Sequence, residues 1–354
     1  MISDIRLQQF RSYVDGAFEF GETVNIIVGP NGSGKTNLLE GLLVAARGSS
    51  YRVSDRDLLA FDTEWARIQV HDFSSMSDRV IKLELTGLAL QKTFVINDKT
   101  YKRLPNDKYI PVVVFEPNHL QLLHGGPELR RSYLDDLLEQ ISPQFGLRRK
   151  QYKRVVSQRN SLLKRYKKPS NQELFPWDLR LSELGAVIAR ERAGLCSRIN
   201  DQLPTIYATL SGSKKTPITV QYDSQFPIDS YETHFMHALT ERLATDIERG
   251  YTTRGPHRED MTVYYGDSPL ELVASRGETR TTILALKIIE LQELERSTDH
   301  QPLLLLDDVF SELDGARRQA LTGYLDAYQT FITTTDADIV VNHFMENCTI
   351  IPLT

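Results

Sequence analysis

Cysteine is nearly absent from this chain: Cys196 and Cys348 are the only two in 354 residues, and they lie far apart. Two isolated thiols make neither a disulfide framework nor a zinc cluster, which fits a reducing compartment. No apolar run approaches the roughly 20 residues that a membrane-spanning helix needs. The first ten residues mix charged and apolar side chains. No secretory leader is visible there, and a cytoplasmic protein without a membrane partner is expected. There is no internal repeat and no low-complexity stretch. An excess of positive charge is missing too. The formal net charge of −5 argues against a wholly basic, nucleic-acid-coating protein, but it leaves room for a local basic patch.

What is present is the mix of an ordinary globular protein, 40% hydrophobic and 25% charged, with length enough for two domains. The first part reads as strands and turns. Val24-Asn25-Ile26-Ile27-Val28 is a short apolar strand ending at Gly29-Pro30, and residues 36–47 follow as a helix with Leu38, Leu39, Leu42, Leu43 and Ala46 on one face. Further strands are expected within residues 80–96 and at 111–115. From about residue 128 the period becomes helical, with stripes such as Tyr133, Leu134, Leu137, Leu138 and Ile141. Breaks fall at Ser142-Pro143, Lys168-Pro169-Ser170 and Pro217. The α/β pattern returns near Thr262. The expected fold is therefore an α/β ATPase head, residues 1–125 and 251–354, interrupted by a mainly helical lobe over 126–250.

Gly29-Pro30-Asn31-Gly32-Ser33-Gly34-Lys35-Thr36 has the spacing of a phosphate-binding P-loop, between a strand and a helix as that motif requires. Glycines let backbone N–H groups converge on a phosphate, and the helix aims its positive end at the same point. Lys35 is expected at the β/γ-phosphates of ATP and Thr36 at Mg²⁺. Leu303-Leu304-Leu305-Leu306-Asp307-Asp308 suits a strand buried on both faces, with two carboxylates where open α/β sheets place ligands. Asp307 is the second expected Mg²⁺ contact, and Asp308 the residue that polarises the attacking water. Alone, the same run also reads as a core strand followed by a helix-capping Asp. Ala274-Ser275-Arg276-Gly277-Glu278 opens another helix and offers a second anion site, through Ser275, Gly277 and Glu278. A single chain has no evident need of two such sites, and a site completed by a second copy explains both. Alone, the motif is equally an ordinary N-cap.

In that order, the motifs resemble the ABC-type ATPases of the SMC group, and within it the RecF family of bacterial recombination mediators. The resemblance runs nearly end to end. Its carriers are Ile5-Arg6-Leu7-Gln8-Gln9-Phe10-Arg11-Ser12-Tyr13, Phe115-Glu116-Pro117-Asn118-His119-Leu120, Gly126-Pro127, Arg130-Arg131-Ser132-Tyr133-Leu134-Asp135, Thr253-Arg254-Gly255-Pro256-His257-Arg258-Glu259-Asp260 and Asp307-Asp308-Val309-Phe310-Ser311-Glu312-Leu313-Asp314. The chain departs from the pattern at Arg276, where Gln is common, and at Asn118, where Glu is common. Thr333-Thr334-Thr335 stands where many ABC proteins carry a switch histidine. Asp308 replaces the usual ABC Glu, as in RecF-like proteins.

The resemblance implies an ATP-dependent homodimer that closes on gapped DNA, where single and double strands meet. It also implies weak, DNA-stimulated ATP hydrolysis and cooperation with RecR and possibly RecO. By the same resemblance Arg11 is a phosphate contact, although a surface ion pair explains it equally well. His257, Glu259 and Asp260 have no second His or Cys close by in sequence with which to hold a metal. Two other readings compete. A transporter's nucleotide-binding subunit calls for a fuller signature and a switch histidine. A small-molecule kinase has no need of the Ser275 motif. One charged feature remains: Arg148, Arg149, Lys150, Lys153, Arg154, Arg159, Lys164, Arg165, Lys167 and Lys168 share one acid-free segment. Lys164, Arg165, Lys167 and Lys168 are the candidate DNA contacts, with a solvated helix face as the alternative.

Overall fold

The computed structural model of the protein describes residues 1–73, 78–165, 169–212, 218–298, 300–310, 313–325, 327–336 and 348–354. The chain forms two compact units, residues 1–119 with 290–354, and residues 120–289. It opens with β1 (Ile2–Phe10), β2 (Tyr13–Glu19), β3 (Val24–Val28), α1 (Lys35–Arg47), β4 (Trp65–Asp72), β5 (Asp78–Thr86), β6 (Ala89–Ile96), β7 (Lys99–Tyr101) and β8 (Val112–Phe115). The second unit carries α2 (Gln121–His124), α3 (Pro127–Ile141), α4 (Pro143–Leu163), α5 (Asn171–Ser211), β9 (Ile218–Asp223), α6 (Tyr231–Glu241), α7 (Leu243–Arg249), β10 (Asp260–Tyr265), β11 (Ser268–Pro269) and α8 (Leu270–Val273). Helix α9 (Arg276–Ser297) crosses the division, and β12 (Leu303–Asp307), α10 (Gly315–Leu325), β13 (Thr330–Thr334) and β14 (Cys348–Pro352) complete the first unit.

Helix α1 organises the first unit. It is buried on every side, including Leu38, Leu42, Val44, Ala45 and Ala46, and such a helix must be enclosed rather than laid on a surface. Its core takes in Ile5 and Leu7 from a six-stranded antiparallel sheet, β2-β1-β4-β5-β6-β7, and Ile27, Leu305 and Phe331 from a five-stranded parallel sheet, β14-β3-β13-β12-β8. Gly41 permits the close approach, since a Cβ there would lie 2.8 Å from Leu7 Cδ2. In the parallel sheet Leu303, Leu304, Leu305 and Leu306 pair with residues 112–115 on one side, and β13 pairs with both β12 and β3 on the other. Strands enclosed on both faces read as unbroken apolar runs, as these do. The register brings the ends of β3, β8, β12 and β13 to one edge.

The second unit packs around charged residues that are fully enclosed. Among the described residues Arg159 is one of the largest fully buried side chains. It donates to Asp178 Oδ1 at 2.6 Å, to Asp246 Oδ2 at 2.6 Å and to Thr252 Oγ1 at 3.0 Å. Arg192 grips both oxygens of Asp135, at 2.8 and 2.9 Å, and donates to the Pro256 carbonyl at 2.6 Å. Buried Glu259 accepts from Tyr231 Oη at 2.7 Å and the Gln225 amide at 2.9 Å, and Tyr222 also donates to it. His257 has its tautomer fixed by its neighbours. Nε2 must donate to the Thr252 carbonyl at 3.0 Å, so Nδ1 accepts from Tyr152 Oη at 2.7 Å.

Two expectations shift. The sequence places the end of the inserted lobe at residue 250, whereas 251–289 belong with the second unit. The physical reason is strand pairing: β10 pairs antiparallel with β9 along Asp260–Tyr265, and β11 adds to β10. The acid-free segment is not one solvated face, because Arg159 is internal and Arg149 reaches Asp135 at 2.8 Å and Glu139 at 2.9 Å. The helical stripes hold better, with Leu181, Leu184, Ile188, Leu195 and Ile199 all buried along α5.

Arg159→Ala leaves Asp178 and Asp246 enclosed without their cation. The expected cost is about 3–5 kcal/mol, read as a lowered urea midpoint; an unchanged midpoint refutes the network. Burial lowers the pKa of His257 from 6.5 to about 4. Between those values the unfolded chain binds more protons, so this stability is complete above about pH 6.5 and is lost as pH falls toward 4. His257→Gln should flatten the stability profile across that window, as checked by urea titrations at stepped pH.

Candidate nucleotide site

The loop between β3 and α1 is shaped by its glycines. Gly32 and Gly34 sit at φ +85° and +96°, the left-handed region that other residues rarely adopt. A Cβ at Gly34 would also lie 2.9 Å from Tyr13 Oη and 3.0 Å from Ser12 Oγ. The β1–β2 turn is fastened to the start of α1 by Tyr13 Oη donating to the Gly34 carbonyl at 3.1 Å and Asn37 Nδ2 donating to Ser12 Oγ at 2.8 Å. Burial pushes the Tyr13 phenol up to about 12, so it stays a donor. Lys35 is buried at the loop's base, with Nζ 2.8 Å from the Gly29 carbonyl and 3.0 Å from that of Pro30. Ser33 Oγ is buried without a hydrogen-bond partner.

Asp307 ends β12 beside this loop. Thr36 Oγ1 lies 3.1 Å from each of its carboxylate oxygens. Thr333 Oγ1 donates to Asp307 Oδ1 at 2.8 Å and accepts from the Asp308 amide at 2.9 Å. The parallel register that pairs Asp307 with Thr333 makes this possible. Asp308 itself takes φ +54°, a strained backbone for a residue with a side chain. Arg52 Nη2 lies 2.9 Å from Asp307 Oδ2 and 2.6 Å from Glu116 Oε1, and its Nε donates to Glu116 at 2.7 Å.

These donors fit a nucleotide triphosphate with a divalent cation. Left-handed glycines open the loop, and among the described residues a buried hydroxyl meets no hydrogen-bond partner and an ammonium is held only by loop carbonyls. One carboxylate with one hydroxyl is the donor set that Mg²⁺ takes when phosphates and waters complete its shell. The sequence singled out Gly29 through Thr36, Asp307 and Asp308, and the fold brings all of them to one edge. Arg11 is tied elsewhere: its Nε lies 2.7 Å from buried Glu40 and its Nη1 donates to the Asp57 carbonyl at 3.0 Å.

Ser275, Gly277 and Glu278 lie in the second unit, at the start of α9. There Ser275 and Glu278 form a reciprocal capping box. Glu278 Oε2 accepts from the Ser275 amide and hydroxyl, both at 2.7 Å, and Ser275 Oγ accepts from the Glu278 amide at 3.3 Å. The ordinary N-cap is thus realised, with Ser275 still exposed. Lys164 and Arg165 are exposed just beyond the end of α4. Lys167, Lys168, Ser311 and Glu312 lie outside the described residues. Arg52 has no signal in the sequence, because its partners are 64 and 255 positions away and no local motif surrounds it. Thr333 stands out in the sequence only for not being histidine.

The family described as RecF/RecN/SMC N terminal domain matches residues 1–351. The DNA replication and repair protein RecF of Heliobacterium modesticaldum is 36% identical over 345 residues, covering 94% of this chain and 92% of that protein. That of Bacillus cereus is 32% identical over 366 residues, covering 100% and 96%. The solved structure of the recombination mediator protein RecF with ATPrS, in the RecFOR pathway, superposes with a TM-score of 0.87 at 28% identity, over 99% of this chain and 96% of that one. An SMC head bound to the C-winged helix domain of ScpA has the same fold at a TM-score of 0.54 and 15% identity.

Lys35→Ala removes the loop's one buried ammonium. A charged hydrogen bond is worth about 1.5–3 kcal/mol, so ATP affinity should fall tenfold or more in a folded protein. Isothermal titration checks this, and wild-type affinity in the variant refutes the site.

Proposed function

The chain belongs to the RecF family and acts in DNA replication and repair as an ATP-binding P-loop ATPase, and from that premise we propose that two copies close on gapped DNA around shared ATP, support recombinase loading, and part after slow hydrolysis. The observation that carries the reading is the meeting of Thr36 with Asp307 beside the phosphate loop. A full-length likeness to DNA repair proteins also decides against a transporter subunit or a small-molecule kinase. Among the described residues no helix is long and apolar enough to cross a membrane, and we place the protein in the cytoplasm. RecR and RecO are proposed partners on the strength of family membership alone.

ATP would supply the triphosphate that two copies share, with Mg²⁺ offsetting its charge. The residues of the chain do the rest. Lys35 Nζ exchanges the Gly29 and Pro30 carbonyls for phosphate oxygens. Thr36 and Asp307 would hold the cation. Asp308 takes a proton from water, and Thr333 fixes its backbone through the bond to the Asp308 amide. Thr333, which bonds the Asp308 amide and the Asp307 carboxylate, stands where many ABC proteins carry a switch histidine, so Asp308 works as the base without that relay and slow turnover follows. Ser275, Gly277 and Glu278 of one copy address the nucleotide of the other through the N-terminus of α9. Ser275 is already exposed for that role. Arg11 would have to leave Glu40 and the Asp57 carbonyl to serve as the phosphate contact that family likeness implies.

Ser275→Arg should leave ATP binding to one copy nearly intact and abolish ATP-dependent dimers in light scattering. Asp308→Asn should keep the dimers and stall hydrolysis. A Ser275 variant that dimerises normally with ATP sinks the shared-site reading.

A further inference from the structure

The Gly-Pro-His-Arg segment takes no part in the nucleotide chemistry, yet the fold sets it beside the end of α4. Helix α7 ends at Gly250, which adopts φ +71°, and the aliphatic stem of Lys164 lies against it, with Cγ 3.4 Å from where a Cβ would stand. The next residue, Tyr251, lies under the guanidinium of Arg258, whose Cζ is 4.6 Å from the ring centroid. Two stretches remote in sequence thereby meet: Lys164 lies against Gly250 and Arg258 over the exposed Tyr251, with exposed Arg249 directly before Gly250 in the chain. The inner side of this region is internally neutralised: Asp246 is held by Arg159 and by the amide and hydroxyl of Thr253. The outer side is not. Among the described residues none of the three cations is paired with a carboxylate, their neighbour Glu248 included. Arg131 lies close by, and its pKa is lowered by burial first and then by Arg192, with Arg258 adding to the effect. Positive charge therefore accumulates here, in a chain whose net charge is −5.

We infer that Lys164, Arg249 and Arg258, with Tyr251 beneath, form a seat for the phosphate backbone of duplex DNA. The chemistry favours phosphates. Arg258 Nε leans on the Thr252 carbonyl at 3.4 Å, which leaves its two terminal nitrogens to meet phosphate oxygens while the guanidinium stacks on the ring. The face of Tyr251 that would stack a base is covered by Arg258, so the seat suits backbone rather than an unstacked single strand. It rests on the DNA-binding reading above and names a surface that the reading does not specify.

The test is fluorescence anisotropy of the full-length protein with saturating ATP, across a salt series, on a blunt duplex and on a dT homopolymer. For the triple variant Lys164→Ala, Arg249→Ala, Arg258→Ala, the log–log salt slope on duplex should shrink by about 0.9 for each phosphate that is no longer neutralised. The slope on dT should stay as it is, and so should ATP affinity. Tyr251→Ala alone should weaken duplex binding less, and Tyr251→Phe, which keeps the ring, should restore it. If the wild type binds duplex and the triple variant matches its slope, the seat is wrong while the DNA-binding reading stands. If the slope falls only on dT, the partner is single-stranded and the inference is overturned. If the wild type binds neither DNA, the reading itself fails.

Discussion

A carboxylate at the end of a strand buried on both faces cannot stand unmet, because an isolated charge there loses its water without replacement. Asp307 is such a group, and much of the first unit's working edge is arranged around it. Thr36 approaches from the phosphate loop, Thr333 from the neighbouring strand, and Arg52 from the segment after α1. Each arrives on a different element, so one side chain ties the loop, two parallel strands and a connecting turn together. Glu116 extends the same arrangement by sharing Arg52. The strained backbone of Asp308 is held in place by the threonine that also serves Asp307.

Most of this edge is legible in the sequence because its signals are local. A glycine pattern between strand and helix has a mechanical meaning within eight residues. Four leucines before two aspartates have one within six. The helices of the second unit are legible for the same reason, since a stripe at helical period shows itself over three turns. What stays hidden depends on partners far along the chain. Arg159 sits in a run of exposed cations and looks like one of them until Asp178, Asp246 and Thr252 enclose it. The division at 289 is hidden because β9 and β10 are brief and the long helices around them dominate the pattern.

The two serine motifs show the limit of motif reading from the other side. Ser170-Asn171-Gln172-Glu173 and Ser275-Arg276-Gly277-Glu278 form the same reciprocal cap, each with its serine accepting from the glutamate amide at 3.3 Å. By local physics they are equivalent helix starts. What sets the second apart is Gly277, which leaves the first turn open, and its place directly ahead of the Leu-Leu-Asp-Asp strand, at the start of the helix that precedes it.

The pairing of β3 with β13 spans nearly the whole polypeptide. Val24 meets Thr330, and the Gly29 amide closes on the Thr334 carbonyl at 3.3 Å. The phosphate loop is encoded long before its supporting strand, with the whole inserted unit between them. During synthesis on the ribosome the loop emerges early and has to wait, through the whole of the inserted unit, for the strand that shapes it. Loop closure of that length makes late, slow assembly of this edge the physical expectation. A chain cut short before β13 would keep the motif and lack the site, so the ability to hold nucleotide reports that the distant strand has been made and paired.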